Sequence, residues 1–390
     1  FSENVAQIIQ ELFGPALNKV LFFNKSLNTT SAIVFFIITF AVGYYGIKKE
    51  TNTRWQAMPE EKQKKGRVII TIFSIVFMLA LPWMVGLFLS QALFMIGLFV
   101  MMGLGLNIVV GYAGLLDLGY VAFYAFGAYT MGILTTTSAL GRGDLNFWMA
   151  VPVAMGVGVL FGVLLGFPVL RMRGDYLAIV TLGFGEIIRI LALSNWLAPI
   201  GGGAQGILHI PQPVFFGIVM NKPQMMYYLV VLGAVLAAFV TIRLRSSRLG
   251  RQWMAMREDE DVAEAMGINL VQTKLLAFAI GAAFSAMAGA IFAARLGNIF
   301  PHSFNLLISI NALALIIVGG LGSIPGVVVG ALILVGLPEM LREFAEYRLL
   351  MYGILLIVMM LVKPEGFMPE TRLKREMQAD KADQAIEAEG

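Results

Sequence analysis

The sequence contains no cysteine and only two histidines. The absence of cysteine excludes a disulfide framework, a thiol nucleophile and a cysteine-based metal site. His209 and His302 are far apart in the sequence, so we interpret each as a loop residue and not as a metal ligand or proton relay. We therefore expect no metal site in this chain.

The motifs of common catalytic and nucleotide sites are also absent. No glycine is followed by lysine, which excludes the Gly-x-x-x-x-Gly-Lys-Ser/Thr loop that cradles phosphates. Neither Gly-x-Ser-x-Gly nor His-Glu-x-x-His occurs. Gly156, Gly158 and Gly162 resemble a dinucleotide loop, but their spacing is wrong and they lie in an apolar run, which favours helix packing. We expect no enzyme activity and no cofactor bound by this chain.

Charged residues are scarce, and this scarcity indicates the class of protein. Only 13% of residues are charged, 58% are hydrophobic, and the mean hydropathy is +0.81. A soluble domain is nearer half apolar and a quarter charged. The positive charges stand in loops between apolar runs, as the positive-inside rule describes, so the net charge of +4 does not indicate nucleic-acid binding. The sequence predicts an all-α, polytopic membrane helical bundle.

The basic loops predict how the chain crosses the membrane. We place the loop 48–67, the segment 171–175, the loop 243–274 and the tail from Lys363 in the cytoplasm. The apolar runs between them predict about eleven spans, or about eight to eleven if the glycine-rich regions 91–135 and 305–343 form re-entrant or half-helices. The predicted spans are 31–47, 68–89, 91–110, 112–135, 148–170, 176–195, 225–242, 275–295, 305–319, 326–343 and 347–362.

The pattern of apolar runs and charged loops divides the chain into four parts. Residues 1–30 have apolar positions at helical spacing with polar residues among them, which predicts an amphipathic segment outside the membrane. Residues 31–67 would form the first span and a basic cytoplasmic loop, and 68–369 the main transmembrane domain. Residues 370–390 are charged and nearly free of large apolar side chains, which predicts a disordered cytoplasmic tail.

Glu186 and Arg189 lie inside an apolar run, where an unpaired charge at mid-bilayer costs about 2.5–3.5 kcal/mol. They are three residues apart, so we predict that they pair on one helix and face other helices. Two interpretations stay open: a self-neutralising pair that helps helices pack, or a pair that borders or braces a polar path. Asp117 and two glycines of the external loop 196–224, Gly202 and Gly203, complete the candidate path.

The cytoplasmic loop 243–274 carries the signals of a short helix. Asp259 is a good N-cap, Glu260 and Asp261 would lie in the first turn, and Gly267 could close the helix in the left-handed conformation. The alternative is a charged surface turn. A helix with its own start and stop signals between two spans would suit docking to another protein.

Several segments resemble the M-type permease of branched-chain amino acid ABC importers. The resemblance covers about residues 70–370, and the GDYLAIVTLGFGEI run is its most specific part. The external loop departs from the family pattern, because Gly201 stands where the family often has threonine. The segments are GLGLNIVVGYAGLLDLGYVAFYAFGAY (103–129), FPVLRMRGDYLAIVTLGFGEIIRI (167–190), MREDEDVAEAMGI (256–268), GGLGSIPG (319–326) and KPEG (363–366).

The resemblance implies an ABC importer permease fold and an assembly in a bacterial inner membrane. Its partners would be a homologous H-type permease subunit, two cytoplasmic ATPase subunits that bind ATP and Mg, an extracytoplasmic substrate-binding protein and the lipid bilayer. The short cytoplasmic helix would then be the coupling helix that contacts an ATPase subunit. Its residues would be Arg257, Glu258, Asp259, Glu260, Ala263, Glu264, Ala265 and Gly267.

The expected function is therefore that of the permease subunit of an ATP-driven importer for leucine, isoleucine and valine. One alternative is an ABC permease for urea or short-chain amides. Another is a secondary transporter or channel that acts alone.

Overall fold

A computed structural model describes most of the chain from residue 76 onward. Most of the predicted amphipathic segment, and all of 31–67 and 370–390, lie outside the described residues. The described residues are Phe22–Phe23, Ser26–Leu27, 76–138, 140–141, 145–169, 172, 174–215, 217–340, 348–363 and 366–368.

The regular secondary structure of the described residues is helical apart from two short antiparallel hairpins. Strand β1 (Phe22–Phe23) pairs with β2 (Ser26–Leu27), and β3 (Val214–Phe215) pairs with β4 (Ile218–Val219). The all-α class is confirmed for this part. The helices are α1 (Gly86–Leu106), α2 (Val121–Thr135), α3 (Phe147–Val169), α4 (Asp175–Leu193), α5 (Ala198–Gly201), α6 (Pro223–Arg245), α7 (Arg248–Glu258), α8 (Glu260–Ala265), α9 (Leu270–Leu296), α10 (Leu306–Gly319), α11 (Ile324–Ala331), α12 (Leu337–Met340) and α13 (Arg348–Val362).

Within the described residues, six helices are long and apolar enough to cross a membrane. The predicted count of about eleven spans is therefore not confirmed. Spans predicted at 112–135 and 326–343 correspond to shorter apolar helices, Val121–Thr135 and Ile324–Gly336. The long helices are Gly86–Tyr112, Phe147–Pro168, Tyr176–Leu193, Pro223–Arg245, Leu270–Leu296 and Pro301–Gly319.

Contacts divide the chain into two compact units. In the first, which includes 76–93 and Lys222–Tyr228, the Trp83 indole donates to the Tyr228 hydroxyl (2.8 Å), which donates to the Leu79 carbonyl (2.7 Å). The second unit, Phe94–Asn221 with Leu229–Gly390, holds the bundle described below.

Helix α9 lies at the centre of this bundle and packs along α3 and α2. Small residues let the helices approach closely. A Cβ atom on Gly127 of α2 would lie 1.9 Å from the Ala286 carbonyl oxygen, and one on Gly289 of α9 would lie 1.9 Å from the Tyr124 carbonyl oxygen. Gly158 and Gly162 of α3 lie against alanines of α9, which confirms helix packing as their role.

The apolar run 91–135 is broken near its middle. Helix α1 continues as a buried π-helix, Asn107–Tyr112, and 113–120 is non-helical. The Tyr120 hydroxyl donates to the Gly281 carbonyl (2.7 Å), and the Ser285 hydroxyl donates to the Tyr120 carbonyl (3.2 Å). Gly281 and Ser285 lie about 16–22 Å from the start of α9, which is roughly 40 Å long. Because they contact Tyr120, α2 starts near the middle of the bundle and is a half-helix.

The two ends of the bundle differ. Helices α7 and α8 contact the start of α9, and we call this the inner end. At the opposite end Ile207 pairs with Ile299, just after α9. We call this the outer end; the connection 194–222 between α4 and α6 belongs to it.

Candidate functional site

The helix predicted in the loop 243–274 is present as α8. The Asp259 carboxylate accepts hydrogen bonds from the backbone N–H groups of Asp261 (2.8 Å) and Val262 (3.0 Å). Gly267 closes the helix with φ of 86°. Its N–H donates to the Glu264 carbonyl at 2.9 Å. Both predicted caps are confirmed, and the alternative of a surface turn is wrong.

Three long-range contacts attach α7 and α8 to the bundle. The buried Trp253 indole donates to the Thr273 carbonyl at the start of α9 (2.8 Å). Lys274 of α9, almost fully buried, pairs with Glu260 of α8 (2.7 Å). The Arg257 guanidinium donates to the Gly111 carbonyl in the π-helix. These contacts connect α7 and α8 to the start of α9 and to the π-helix that continues α1.

Some candidate coupling residues face the bundle, and the others lie on the exposed side of α7 and α8. Arg257, Glu260 and Ala263 are half-buried or buried against the bundle. The other side is open, and Val262 and Met266 expose 58% and 79% of their surface there. The remaining candidate residues are exposed: Glu258, Asp259, Glu264, Ala265 and Gly267.

Asp117 is buried in the non-helical segment that precedes α2. Its carboxylate accepts a hydrogen bond from the Gly119 N–H (2.8 Å). The Leu118 N–H donates to the Thr181 hydroxyl of α4 (3.0 Å), and the Val121 N–H donates to the Ser309 hydroxyl (2.8 Å). Irregular backbone at membrane depth needs such partners, because lipid supplies none. Asp117, Thr181 and Ser309 together supply these partners at the start of the half-helix.

The side chains of Glu186 and Arg189 pair on α4, as predicted. The Arg189 Nε donates to both carboxylate oxygens at 3.0 Å, and Nη2 donates to Oε1. The Arg189 Nη1 makes no hydrogen bond within the described part of the chain. The side chains of Arg189 and Glu186 are 25% and 43% exposed on this chain alone, so the prediction that the pair faces other helices stays a prediction. Helix α4 lies at the margin of the bundle, so this chain covers the pair only in part.

Arg189 borders a cleft between α2 and α4 near the outer end. The cleft is narrow, with room for about one water molecule, and its other lining residues are mostly apolar. The Tyr129 hydroxyl is buried there without a hydrogen-bond partner among the described residues. The other lining residues are Val121, Ala122, Ala125, Gly185, Ile188, Ala192, Pro301 and Phe304.

The turn of the outer loop contains the two candidate glycines. Gly202 and Gly203 have φ of 75° and 56°, a region that side chains with a Cβ rarely adopt. Gly201 is buried against the ring of Tyr129, where an added Cβ would lie 3.6 Å from the ring. The turn therefore lies beside the cleft.

Arg189 and Gly201 both lie beside Tyr129 near the outer end, and Gly202 and Gly203 form the turn that follows Gly201. Asp117 lies deeper, beside Thr181, about 12 Å along α4 from Arg189. The coupling residues lie at the inner end. Sequence analysis missed Tyr129, Asn107 and the buried role of Lys274. Asn107, whose amide oxygen accepts from the Gly322 N–H (2.9 Å), carried one signal: a lone amide side chain in an apolar run.

Known proteins show clear similarity to this chain. It is 38% identical over 381 residues to the high-affinity branched-chain amino acid transport system permease protein LivM of Escherichia coli, covering 91% of this chain and 88% of that protein. Identity to LivM of Salmonella typhimurium is 42% over 331 residues, or 79% of this chain and 76% of that protein. No solved structure matches significantly.

A second type of permease protein is also similar, over a shorter length. The chain is 34% identical over 163 residues to the high-affinity branched-chain amino acid transport system permease protein LivH of Escherichia coli, which is 41% of this chain and 52% of that protein. Residues 88–362 match the family described as branched-chain amino acid transport system, permease component. The chain therefore belongs to the permease-component family of branched-chain amino acid transport systems, as an M-type permease.

Proposed function

We propose that this chain forms, with a homologous H-type permease subunit, the translocation path of an ATP-driven importer for leucine, isoleucine and valine. The family and the two types of similar permease support this pairing. The proposal places the chain in a bacterial inner membrane. Two ATPase subunits, which bind ATP and Mg, would lie inside, and a substrate-binding protein would deliver the amino acid outside.

The observation that carries the ATP coupling is the form of α8. It is a capped helix outside the long apolar spans, and its exposed side presents Val262 and Met266 beside exposed carboxylates. Apolar side chains exposed on a short helix suit a groove on another protein. We assign that groove to an ATPase subunit, with Glu258, Asp259, Glu264 and Ala265 at the margin of the contact.

The side of α7 and α8 that faces the bundle would transmit movement of the ATPase subunit to the membrane segments. Arg257 bonds to the carbonyl of Gly111 in the π-helix, and Lys274 pairs with Glu260. Asn107, at the other end of the π-helix, bonds to the turn before α11 through Gly322. π-Helices are rare and frequently occur at functional sites. Arg257 is thus a positioning residue that connects the ATPase contact with two membrane segments.

The path for the amino acid would run beside α4. Glu186 and Arg189 are half-exposed charged groups in a span of otherwise apolar character, and lipid would not solvate them. We therefore place the homologous subunit, or water in the path, against this side of α4. Asp117 braces the path from a buried position, while Gly202 and Gly203 shape its outer mouth.

Uptake by reconstituted proteins tests this function. Vesicles that contain this chain, the H-type subunit, the ATPase subunits and internal ATP should accumulate leucine when the binding protein is outside. Vesicles with this chain alone should not accumulate it, even with a proton or sodium gradient. Accumulation by the chain alone would instead support a secondary transporter, and ATP-driven uptake of urea without leucine would overturn the substrate assignment.

A further inference from the structure

Arginines are concentrated where α6 ends at the inner end of the bundle. Arg243, Arg245, Arg248 and Arg251 all lie in the segment 243–251, whereas no aspartate or glutamate occurs from residue 190 to residue 257. Arg243, Arg248 and Arg251 are exposed. Within the described part of the chain, these three side chains make no ion pair. Their positive charge is therefore available to an anionic partner.

The exposed face of α6 leads directly to this charge. Gly233, Ala237 and Thr241 are buried on the side of α6 that packs against the bundle. The opposite side carries exposed apolar residues at helical spacing, and we call it the apolar strip of α6. The Arg243 guanidinium lies 5.5 Å from the centre of the Phe239 ring, so a cation stands at the end of the strip. The strip consists of Leu232, Val235, Leu236, Phe239 and Ile242.

The turn between α6 and α7 brings the exposed arginines close together. Only two residues, Ser246 and Ser247, separate the helices. The Arg251 Nη1 donates to the Ser246 carbonyl (3.3 Å), and the Ser246 hydroxyl donates to the Arg243 carbonyl (3.1 Å). Arg248 is three residues before Arg251 on α7, so both lie on one side of that helix. The three arginines therefore surround one short turn.

We propose that Arg243, Arg248 and Arg251 bind the phosphate group of an anionic phospholipid whose acyl chains lie along the apolar strip of α6. Guanidinium groups donate pairs of hydrogen bonds to phosphate oxygens. Basic clusters directly beside the cytoplasmic end of a membrane helix attract anionic lipids. A zwitterionic lipid has the same phosphate, but its ammonium group is repelled by the arginines. The cluster should therefore select a lipid with net negative charge.

The position of the cluster favours a lipid over an acidic surface of a partner protein. The exposed side of α8, which we assign to the ATPase contact, carries carboxylates, so a complementary protein surface there would be basic. The arginines instead adjoin the apolar strip of α6, which needs an apolar neighbour. One phospholipid supplies both partners, because its phosphate suits the guanidinium groups and its acyl chains suit the strip.

Photo-crosslinking with two lipids that differ in headgroup charge tests the proposal. The complex of this chain with its partner subunits is placed in phosphatidylcholine nanodiscs. Each sample contains a trace of phosphatidylglycerol or phosphatidylcholine that carries a diazirine on the acyl chain close to the glycerol, and mass spectrometry identifies the labelled peptides. Phosphatidylglycerol should label residues 239–251 at least about fivefold more than phosphatidylcholine, which is the factor expected for one arginine near an anionic headgroup. High salt should reduce this preference, because the attraction is electrostatic.

Substitutions at the cluster should remove the preference without removing the apolar contact. Arg243→Gln/Arg248→Gln should lower labelling by phosphatidylglycerol nearly to the level of phosphatidylcholine. Arg243→Lys/Arg248→Lys keeps both charges and should retain most of the preference. Lys222→Gln/Arg295→Gln removes the same charge near the outer end and is the matched control, which should label residues 239–251 like the wild type. All variants should keep the midpoint temperature of thermal unfolding, since Arg243 and Arg248 are exposed.

Three results would overturn the proposal. The first is equal labelling of residues 239–251 by the two lipids, or equal labelling by phosphatidylglycerol in the wild type and the glutamine variant. The second is the absence of labelling there by either lipid, which would mean that a partner subunit covers the apolar strip. The third is competition by millimolar glycerol 3-phosphate, which lacks acyl chains, because the arginines would then bind a soluble phosphate compound and not a lipid.

Discussion

Replacing Glu260 with glutamine should loosen α8 from the bundle more than replacing its partner does. The Lys274 ammonium lies 2.7 Å from the Glu260 carboxylate, and the two side chains are 3% and 20% exposed respectively. Glu260→Gln leaves an uncompensated ammonium that water cannot reach. Lys274→Met leaves a carboxylate that water can still hydrate. The costs of the two substitutions should therefore differ.

The structure also sets the size of the effect. At 2.7 Å the gross attraction is about 6 kcal/mol for an effective dielectric constant of about 20, and desolvation of Lys274 offsets much of it. Breaking a buried pair from one side costs about 3–5 kcal/mol. Because Glu260 is partly exposed, we expect about 3 kcal/mol for Glu260→Gln, about 1–2 kcal/mol for Lys274→Met, and recovery of at least half the larger loss in the double variant.

These differences in the free energy of unfolding can be measured by unfolding the purified protein in detergent. The midpoint temperature of thermal unfolding is a second readout. Glu264→Gln is the matched control, because Glu264 is exposed on the same helix, and it should stay within about 0.5 kcal/mol of the wild type. Equal stability of Glu260→Gln and the wild type would refute the reasoning. So would simple addition of the two single losses in the double variant.

Three further predictions concern packing and coupling. Gly127→Val should force α2 and α9 apart and lower the free energy of unfolding by at least about 1–3 kcal/mol in the same assay. Gly156→Ala should be neutral, because a Cβ atom added at Gly156 would have no neighbouring atom within 4 Å. Gly267→Val, at a φ of 86°, should reduce leucine uptake per ATP while membrane insertion is unchanged; normal coupling would contradict the assignment of α8. Arg257→Gln should retain ATPase activity but lose most uptake, with partial rescue in Arg257→Lys; equal loss of both activities would indicate a folding role.

Local signals made two parts of the site predictable. Asp259 and Gly267 carry the start and stop of α8 within a few residues, so capping chemistry alone was sufficient. Glu186 and Arg189 are one helical turn apart, and any helix through them brings them together. Neither inference required knowledge of the packing.

Other features depend on contacts between distant parts of the chain. The sequence predicted a boundary near 110–112 and allowed half-helices in 91–135. It did not predict that α2 starts only at Val121, because that start is fixed by contacts with α9 and with Ser309 of α10. Arg257 was expected at the ATPase contact, yet it turns inward to a carbonyl 146 residues away in sequence. Hydrophobic periodicity does not report such pairings.

The central claim is that the exposed side of α8 contacts an ATPase subunit. The chain has no cysteine, so a single cysteine at Val262 can carry a benzophenone photo-crosslinker. A cysteine at Ile218, in the outer hairpin, is the control, since the two side chains are 58% and 59% exposed. In the assembled complex, illumination should join position 262, but not position 218, to an ATPase subunit. Crosslinking to the ATPase from 218, or none from 262 in a complex that transports leucine, would contradict the account.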